Sequence, residues 1–373
     1  MSDVGNVILW AALIQGLLLA LLYIFSKTHS SFANTLLGFF LLSIILEALT
    51  TILPFRYIGS YPVDTYFSLL EVKLFIPLFF IHYVLEKIGK SAKYRKFLKY
   101  NYILATAIGA LTILNIFLFF MHSVTLEAAF GPMAVENFHL AQQLYAFAIL
   151  VAAFTIAITE TRAFRKLAQN EYSDYKMLQI NWLWQFIFML VPATLLWGIE
   201  IARILFIGPS ETNLEMIIWG FVALFFYFLS YKAYQHANLF DQIPHRIVPE
   251  NEVLSNEFPF QKCDAFQSEA IHKFMVETEL FLNQDLTLHH FAKAINMSPR
   301  LISTCINTNF GNNFNEWVNG FRVEKAIKLI ETDTKNQLSL EGIGTAAGFK
   351  SRSTMYSAFQ KKLGHSPGQY RKL

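Results

Sequence analysis

The chain of 373 residues has room for two or three domains, and it is 54% hydrophobic, only 15% charged, with 37 phenylalanines and a net charge of +3. An average soluble domain carries about 25% charged residues, so much of this surface is expected to face something other than water. The two cysteines, Cys263 and Cys305, both lie in the polar C-terminal part; with only two, one of them inside a helical repeat, a disulfide framework is not expected and free thiols in a reducing compartment are.

Seven stretches reach the roughly twenty apolar residues that cross a bilayer as a helix: 7–25, 34–53, 63–85, 100–121, 139–158, 181–207 and 214–231. The first lacks the positive flank and cleavage site of a signal peptide and reads as a retained anchor. Pro192 and the length of the sixth predict a kink or tilt there. Lys27, Lys87, Lys90, Lys93, Arg95, Lys96, Lys99, Arg162, Arg165, Lys166 and Lys176 fall on one side of such a bundle, and Arg56 stands alone on the other. Lys and Arg are retained on the cytoplasmic side, so the pattern predicts a multi-pass inner-membrane protein with its N-terminus outside and its C-terminus in the cytoplasm. Trp10, Tyr61, Tyr100, Trp182 and Tyr231 near the span ends suit an interfacial belt, and ordinary lipid-facing packing explains them equally well.

A charge at the centre of a span costs roughly 2.5–3.5 kcal/mol on insertion scales, so those that persist face a partner or a cavity. The candidates are Glu47, Glu71, Lys73, Glu200 and Arg203, with Gln15, Gln142 and Gln143 as neutral company. Given the helical rise and the predicted topology, all of them fall in the outer half. Glu200 and Arg203, three apart, share a helix face, whereas Glu71 and Lys73 diverge and need partners on other helices. Two readings stay open. Either these are buried ion pairs, such as Glu47 or Glu71 with Arg203, that fix helix packing, or they line an outward-open pocket for a small polar or charged ligand. No evenly spaced relay of acids continues toward the cytoplasmic side, which weighs against a proton path. His82, alone near the inner end, reads as a hydrogen-bonded interface residue.

Catalysis finds little support. The chain has no His-Glu-x-x-His pattern, no Gly-x-Ser-x-Gly elbow and no phosphate-cradling glycine loop. His122, Glu127, Glu136 and His139 share an outer loop without the fixed spacing of a metal site. No cofactor, metal or catalytic residue is expected.

After Lys232 the chain turns polar, and Pro244, Pro249 and Pro259 mark a linker without helical periodicity. A helix is predicted from about Gln267, with Ile271, Phe274, Met275 and Leu282 as its apolar stripe. Beyond it a pattern occurs twice. Ser298, Ile302, Ile306, Phe310 and Gly311 are echoed in register by Ser351, Met355, Phe359, Leu363 and Gly364, with Arg300 and Arg352 in the first turns of the two copies. Helices over 286–295 and 299–310 form the first copy, with Ser298 as cap, Pro299 in the first turn and Asn296 in the turn between. Helices over 340–347 and from Arg352 form the second, with Gly348 in the turn. Ile302 and Ile306, four apart, face inward, as do Met355 and Phe359. That leaves Arg300, Ser303, Thr304 and Asn307 outward on one helix, and Arg352, Ser353, Ser357 and Lys361 on the other. Such helices enter the major groove, where Arg pairs with guanine and Asn with adenine. Lys350, Arg352, Lys361, Lys362, Arg371 and Lys372, without an intervening acid, suit phosphate contacts. A helix over 316–331, anchored by Trp317, Phe321, Ile327 and Ile330, sets the distance between the two readers.

The stretches 286–292, 319–326, 347–351 and 359–371, ending in Gly364-His365-Ser366-Pro367-Gly368-Gln369-Tyr370-Arg371, resemble the DNA-binding domain of AraC/XylS-type transcriptional regulators. The resemblance covers about Gln267 to Arg371, under a third of the chain. It implies a double helix-turn-helix and carries no implication of a sugar-binding sensor. Membrane-bound members with several N-terminal spans resemble the arrangement here. Gly344, Met355 and Gln360 depart from the residues usual at their positions, and Gly344 weakens its helix by about 1 kcal/mol relative to alanine.

The expected fold is all-α. A seven-helix transmembrane bundle (1–233) leads through a cytoplasmic linker (234–266) to a domain with two helix-turn-helix motifs joined by a helix (267–373). The expected role is a one-component membrane-embedded transcriptional regulator, no enzyme, whose last span passes a signal through the linker. Expected partners are double-stranded DNA, the lipid bilayer, RNA polymerase, an unidentified small ligand or membrane partner, and a second copy of the chain. The alternatives are a passive tether released by proteolysis in the linker, and a transporter or docking bundle with a DNA-binding reporter tail.

Overall fold

Long runs of leucine, isoleucine, phenylalanine and alanine, broken only at short polar segments, leave helices as the way to satisfy the backbone inside an apolar setting. The computed structural model describes residues 3–25, 31–52, 57–58, 61–62, 72–122, 130–172, 180–208, 214–235, 263–333 and 337–372. The chain divides into two compact units: Met1–Thr161 with Asn181–Ile243, and Arg162–Ile180 with Pro244–Leu373.

The first unit contains α1 (Asp3–Phe25), α2 (Phe32–Ile52), a two-residue antiparallel ladder of β1 (Tyr57–Ile58) and β2 (Tyr61–Pro62), and α3 (Phe75–Lys87). A 3₁₀ turn (Ser91–Tyr94) leads into α4 (Arg95–His122), followed by α5 (Pro132–Glu171), α6 (Ile180–Phe206) and α7 (Leu214–Gln235). Five helices among the described residues are long and apolar enough to cross a membrane by length and composition: Val7–Phe25, Phe32–Leu49, Asn137–Glu171, Trp182–Phe206 and Met216–Ala233. Of the other two expected spans, 100–121 lies within the 28-residue α4, and 63–85 is described only from Val72 onward. The sixth stretch runs as one helix through Pro192.

Aromatic rings fill the middle of this unit. Phe40, Phe80, Phe186 and Phe225 meet one another at centroid distances of 5.7–6.2 Å, and all four are buried. α1 and α7 approach so closely that a Cβ on Gly16 would lie 2.4 Å from the Phe226 ring. Any larger residue there would have to displace that ring.

The fifth apolar stretch is not confined to the expected 139–158. Its helix continues to Glu171, about 20 Å past Ile158 at the helical rise. The part from Arg162 onward belongs to the second unit. The expected linker of 234–266 lies almost wholly outside the described residues.

In the second unit α8 (Ala265–Thr278), a 3₁₀ turn (Leu280–Leu282), α9 (Leu288–Ile295), α10 (Pro299–Asn309), α11 (Phe314–Thr332), α12 (Leu340–Ala346), α13 (Arg352–Leu363) and α14 (Pro367–Tyr370) follow in order. Each of these α-helices starts on a capping side chain: Asp264, Thr287, Ser298, Asn313, Ser339, Ser351 and Ser366, each accepting a backbone N–H from its first turn. Such caps contribute about 1 kcal/mol apiece, which explains how helices as short as α9 and α12 hold their ends.

Two apolar cores share α11. Its first half gives Phe314, Trp317, Val318 and Phe321 to a core with Ile271, Phe291, Ile302 and Ile306. Its second half gives Val323, Ala326 and Ile330 to a core with Ile343, Phe349, Met355 and Phe359.

One expectation is overturned here. Cys263 and Cys305 are joined in a disulfide, where free thiols were expected. Cys263 directly precedes the cap of α8, and α8 packs on α10. That packing brings the inward face of α10 to the start of α8 and leaves the two Cα atoms 5.1 Å apart, within the range a disulfide bridges.

Candidate nucleic-acid interface

The inward and outward faces of α10 and α13 follow from four-residue spacing, and the structure places them as expected. Leu301, Ile302, Cys305 and Ile306 are buried, as are Met355 and Phe359. Arg300 and Asn307 are exposed on α10, with Ser303 and Thr304 half-buried between them. Asn307 donates its side-chain amide to Ser303 Oγ at 3.3 Å. On α13, Arg352, Ser353, Ser357 and Lys361 are exposed. Arg352 is pre-oriented: its guanidinium lies 5.0 Å from the Tyr356 ring centroid and donates to Tyr356 Oη at 3.0 Å. A planar donor held over an aromatic ring loses less side-chain entropy when it meets a base edge.

The turns between paired helices use the residues that their backbone demands. Asn296 adopts φ 57° and Gly348 φ 89°. A Cβ on Gly348 would lie 2.6 Å from the Phe281 carbonyl oxygen and 2.7 Å from Leu282 Cα, so the second pair docks backbone to backbone on the segment that precedes the first. Arg322, missed in the sequence reading, fixes the same segment from α11. Its side chain is completely buried. It donates to the carbonyls of Phe281 at 2.7 Å and Asn283 at 2.8 Å, and to Asn319 Oδ1 at 3.2 Å. An arginine between Phe321 and Val323, within the apolar stripe of α11, was the available signal.

The basic residues expected on phosphates are largely engaged inside the unit. Lys350 pairs with Asp285 at 2.5 Å, Lys361 with Glu316, Lys362 with Glu324 at 2.6 Å and Arg371 with Asp333 at 2.9 Å. Lys361 and Lys362 thereby tie α13 to α11. Asp333 also accepts the backbone N–H groups of Gln337 and Leu338. Leu338, Gln337 and Arg371 together hold its carboxyl below the usual carboxylate range. A cleft of about 460 Å³ opens between α11 and α13, with Asn319, Glu324, Thr354 and Lys362 in its lining.

Of the polar candidates in the first unit, Lys73 meets Glu47 at 3.2 Å, and Arg203 pairs with Glu200 on its own helix. Arg203 also reaches the Gly208 carbonyl at 3.4 Å. Glu71 lies outside the described residues, as do Glu127 and the side chain of Glu136. Gln142 is buried with both side-chain polar atoms lacking a hydrogen bond, and His82 shares a hydrogen bond with Tyr102 Oη at 3.2 Å. Glu160 binds Lys93 at 2.5 Å and Tyr94 Oη at 2.7 Å, joining α5 to the 3₁₀ turn after α3.

Residues 291–373 match the family model of a helix-turn-helix domain, which supports DNA-binding transcription regulation. Such a domain is regulatory and not catalytic. No curated protein and no solved structure matches the chain.

Proposed function

We propose that the chain is a membrane-embedded, one-component transcriptional regulator. Its N-terminal helices cross the inner membrane with the N-terminus outside. Its C-terminal unit reads DNA in the cytoplasm through two helix-turn-helix motifs, α9–α10 and α12–α13. The observation that carries this reading is the pair of capped helices presenting Arg300 and Asn307, and Arg352 and Ser357, held at one spacing by α11 and the Arg322 clamp. Residues at these outward positions reach base edges when a recognition helix enters the major groove. The apolar helices of the first unit and the basic bias of one set of loops support the membrane placement. Glu47, Glu71, Lys73, Glu200 and Arg203 would then lie in its outer half, where a polar signal could bias one packing of the bundle over another. A second protomer and RNA polymerase are further partners on this reading.

The test is fractionation after crosslinking in cells. Full-length protein in washed membranes should carry discrete DNA fragments. DNA recovered only on a soluble C-terminal fragment would replace this reading with release by proteolysis.

A further inference from the structure

The last turns of α5 are part of the DNA-reading unit. Glu171 Oε1 lies 2.7 Å from His289 Nδ1, and the His289 backbone N–H points to the same oxygen at 3.4 Å. Glu171 is mostly buried, its side chain 16% exposed. One residue on, Tyr172 forms an antiparallel bridge with Thr287, the cap of α9. One turn back, Lys166, Gln169 and Asn170 line a hollow of about 400 Å³ together with Asn307, Gly311 and Asn313. Asn307 belongs to the outward face of α10. The end of α5 thus grips the start of the support helix and flanks the reading helix of the first motif.

On the reading of α10 as a groove-reading helix, this placement competes with DNA for the face that carries Asn307. The major groove is about 12 Å wide, and one helix with its side chains is about 10–12 Å across. A groove that seats α10 has no room for a second helix beside Asn307. The same helix contributes the fifth apolar stretch of the bundle without interruption, from Pro132 to Glu171. A shift or rotation of that stretch reaches the first reader directly, without passing through the linker after α7.

We propose that the end of α5 is an autoinhibitory strut: while Glu171 and Tyr172 hold the start of α9, the first motif is kept off DNA, and a signal that displaces α5 in the bundle frees it. The inference rests on the reading of α9–α10 as a DNA reader. It assigns Glu171 and His289 a role in holding the resting state.

The test compares wild type, Glu171→Ala, and Glu171→Ala combined with Arg300→Ala and Arg352→Ala, all as full-length protein in cells without added signal. Occupancy of crosslinked genomic sites is the readout. A charge-assisted hydrogen bond of this kind corresponds to about a ten- to hundredfold change in an equilibrium, so Glu171→Ala should raise occupancy by about tenfold or until the sites saturate. The triple variant should lose it. Hydrogen exchange on the purified full-length proteins checks the fold: Glu171→Ala should speed exchange at 287–291 and leave α11 as protected as in wild type. Unchanged or reduced occupancy in Glu171→Ala, at sites that still depend on Arg300 and Arg352, overturns the strut and leaves the DNA reader standing. No occupied sites in any of the three proteins overturns both. Loss of protection in α11 would assign Glu171 to structural support and also overturn the strut.

Discussion

Replacing Arg322 with methionine keeps most of the buried stem of the side chain and removes the guanidinium. Its hydrogen bonds to the Phe281 and Asn283 carbonyls and to Asn319 disappear. Their full worth is not lost, because the cost of keeping a charge out of water disappears with them. What remains is the cost of carbonyls left without a donor, about 1–3 kcal/mol each when buried. The Phe281 bond is buried and the Asn283 bond only partly so, so water relieves the second and the first dominates. The expected loss is about 2–3 kcal/mol, or roughly 30- to 150-fold in a local opening constant. Arg322→Lys should fall between, since one ammonium cannot span both carbonyls. Hydrogen exchange on full-length protein in nanodiscs reads this directly, at peptides covering 280–283 and the Gly348 turn that packs on them. Exchange within threefold of wild type at those peptides would refute the view that Arg322 clamps the junction of the two motifs.

Gly348→Ala should cost more than about 2 kcal/mol, because left-handed backbone strain adds to a collision with the fixed Phe281 carbonyl; thermal unfolding of the second unit measures it, and a neutral substitution would contradict the close docking. In protein purified under oxidising conditions, Cys263 and Cys305 should resist alkylation in denaturant until a reductant is added. Closing that loop corresponds to about 4 kcal/mol in the chain-entropy model, so reduction should lower the unfolding midpoint of the second unit, and ready alkylation without reductant would refute the bond. Asp333 contributes stability that is present above its unfolded pKa of about 3.9 and lost as pH falls through its lower folded value. Asp333→Asn should therefore flatten the acid limb of the stability curve below about pH 4 and leave its slope near neutrality unchanged, as followed by unfolding across pH 2–7. An unchanged acid limb would show that the Leu338 and Gln337 amides do not hold the carboxylate.

The short-range features of the second unit were legible in the sequence. Ser298 and Ser351 cap because a hydroxyl ahead of an apolar-periodic run meets the free N–H groups there, and Ile302 and Ile306 turn inward because four residues make one helical turn. Gly344 and Met355 were read as separate departures from the family pattern, but they form one contact: a Cβ on Gly344 would lie 2.8 Å from Met355 Sδ. The small residue therefore makes room for the longer thioether. What escaped was long-range. Arg322 reaches back 41 residues to Phe281, the disulfide spans 42, and Glu171 meets His289 across 118. No periodicity encodes such pairs. The number of cysteines does not reveal the disulfide, because the packing of α8 on α10 is what brings Cys263 to Cys305. Lys361 and Lys362 likewise pair with Glu316 and Glu324 on α11, contacts that local sequence does not encode.

The most direct measurement is genome-wide crosslinking of the full-length protein to DNA, comparing wild type with Arg300→Ala plus Arg352→Ala. Discrete sites that vanish in the variant, with both proteins equally abundant in the membrane, are the predicted result. The same sites in the variant, or none for wild type and Glu171→Ala alike, would contradict a regulator that reads DNA from the membrane.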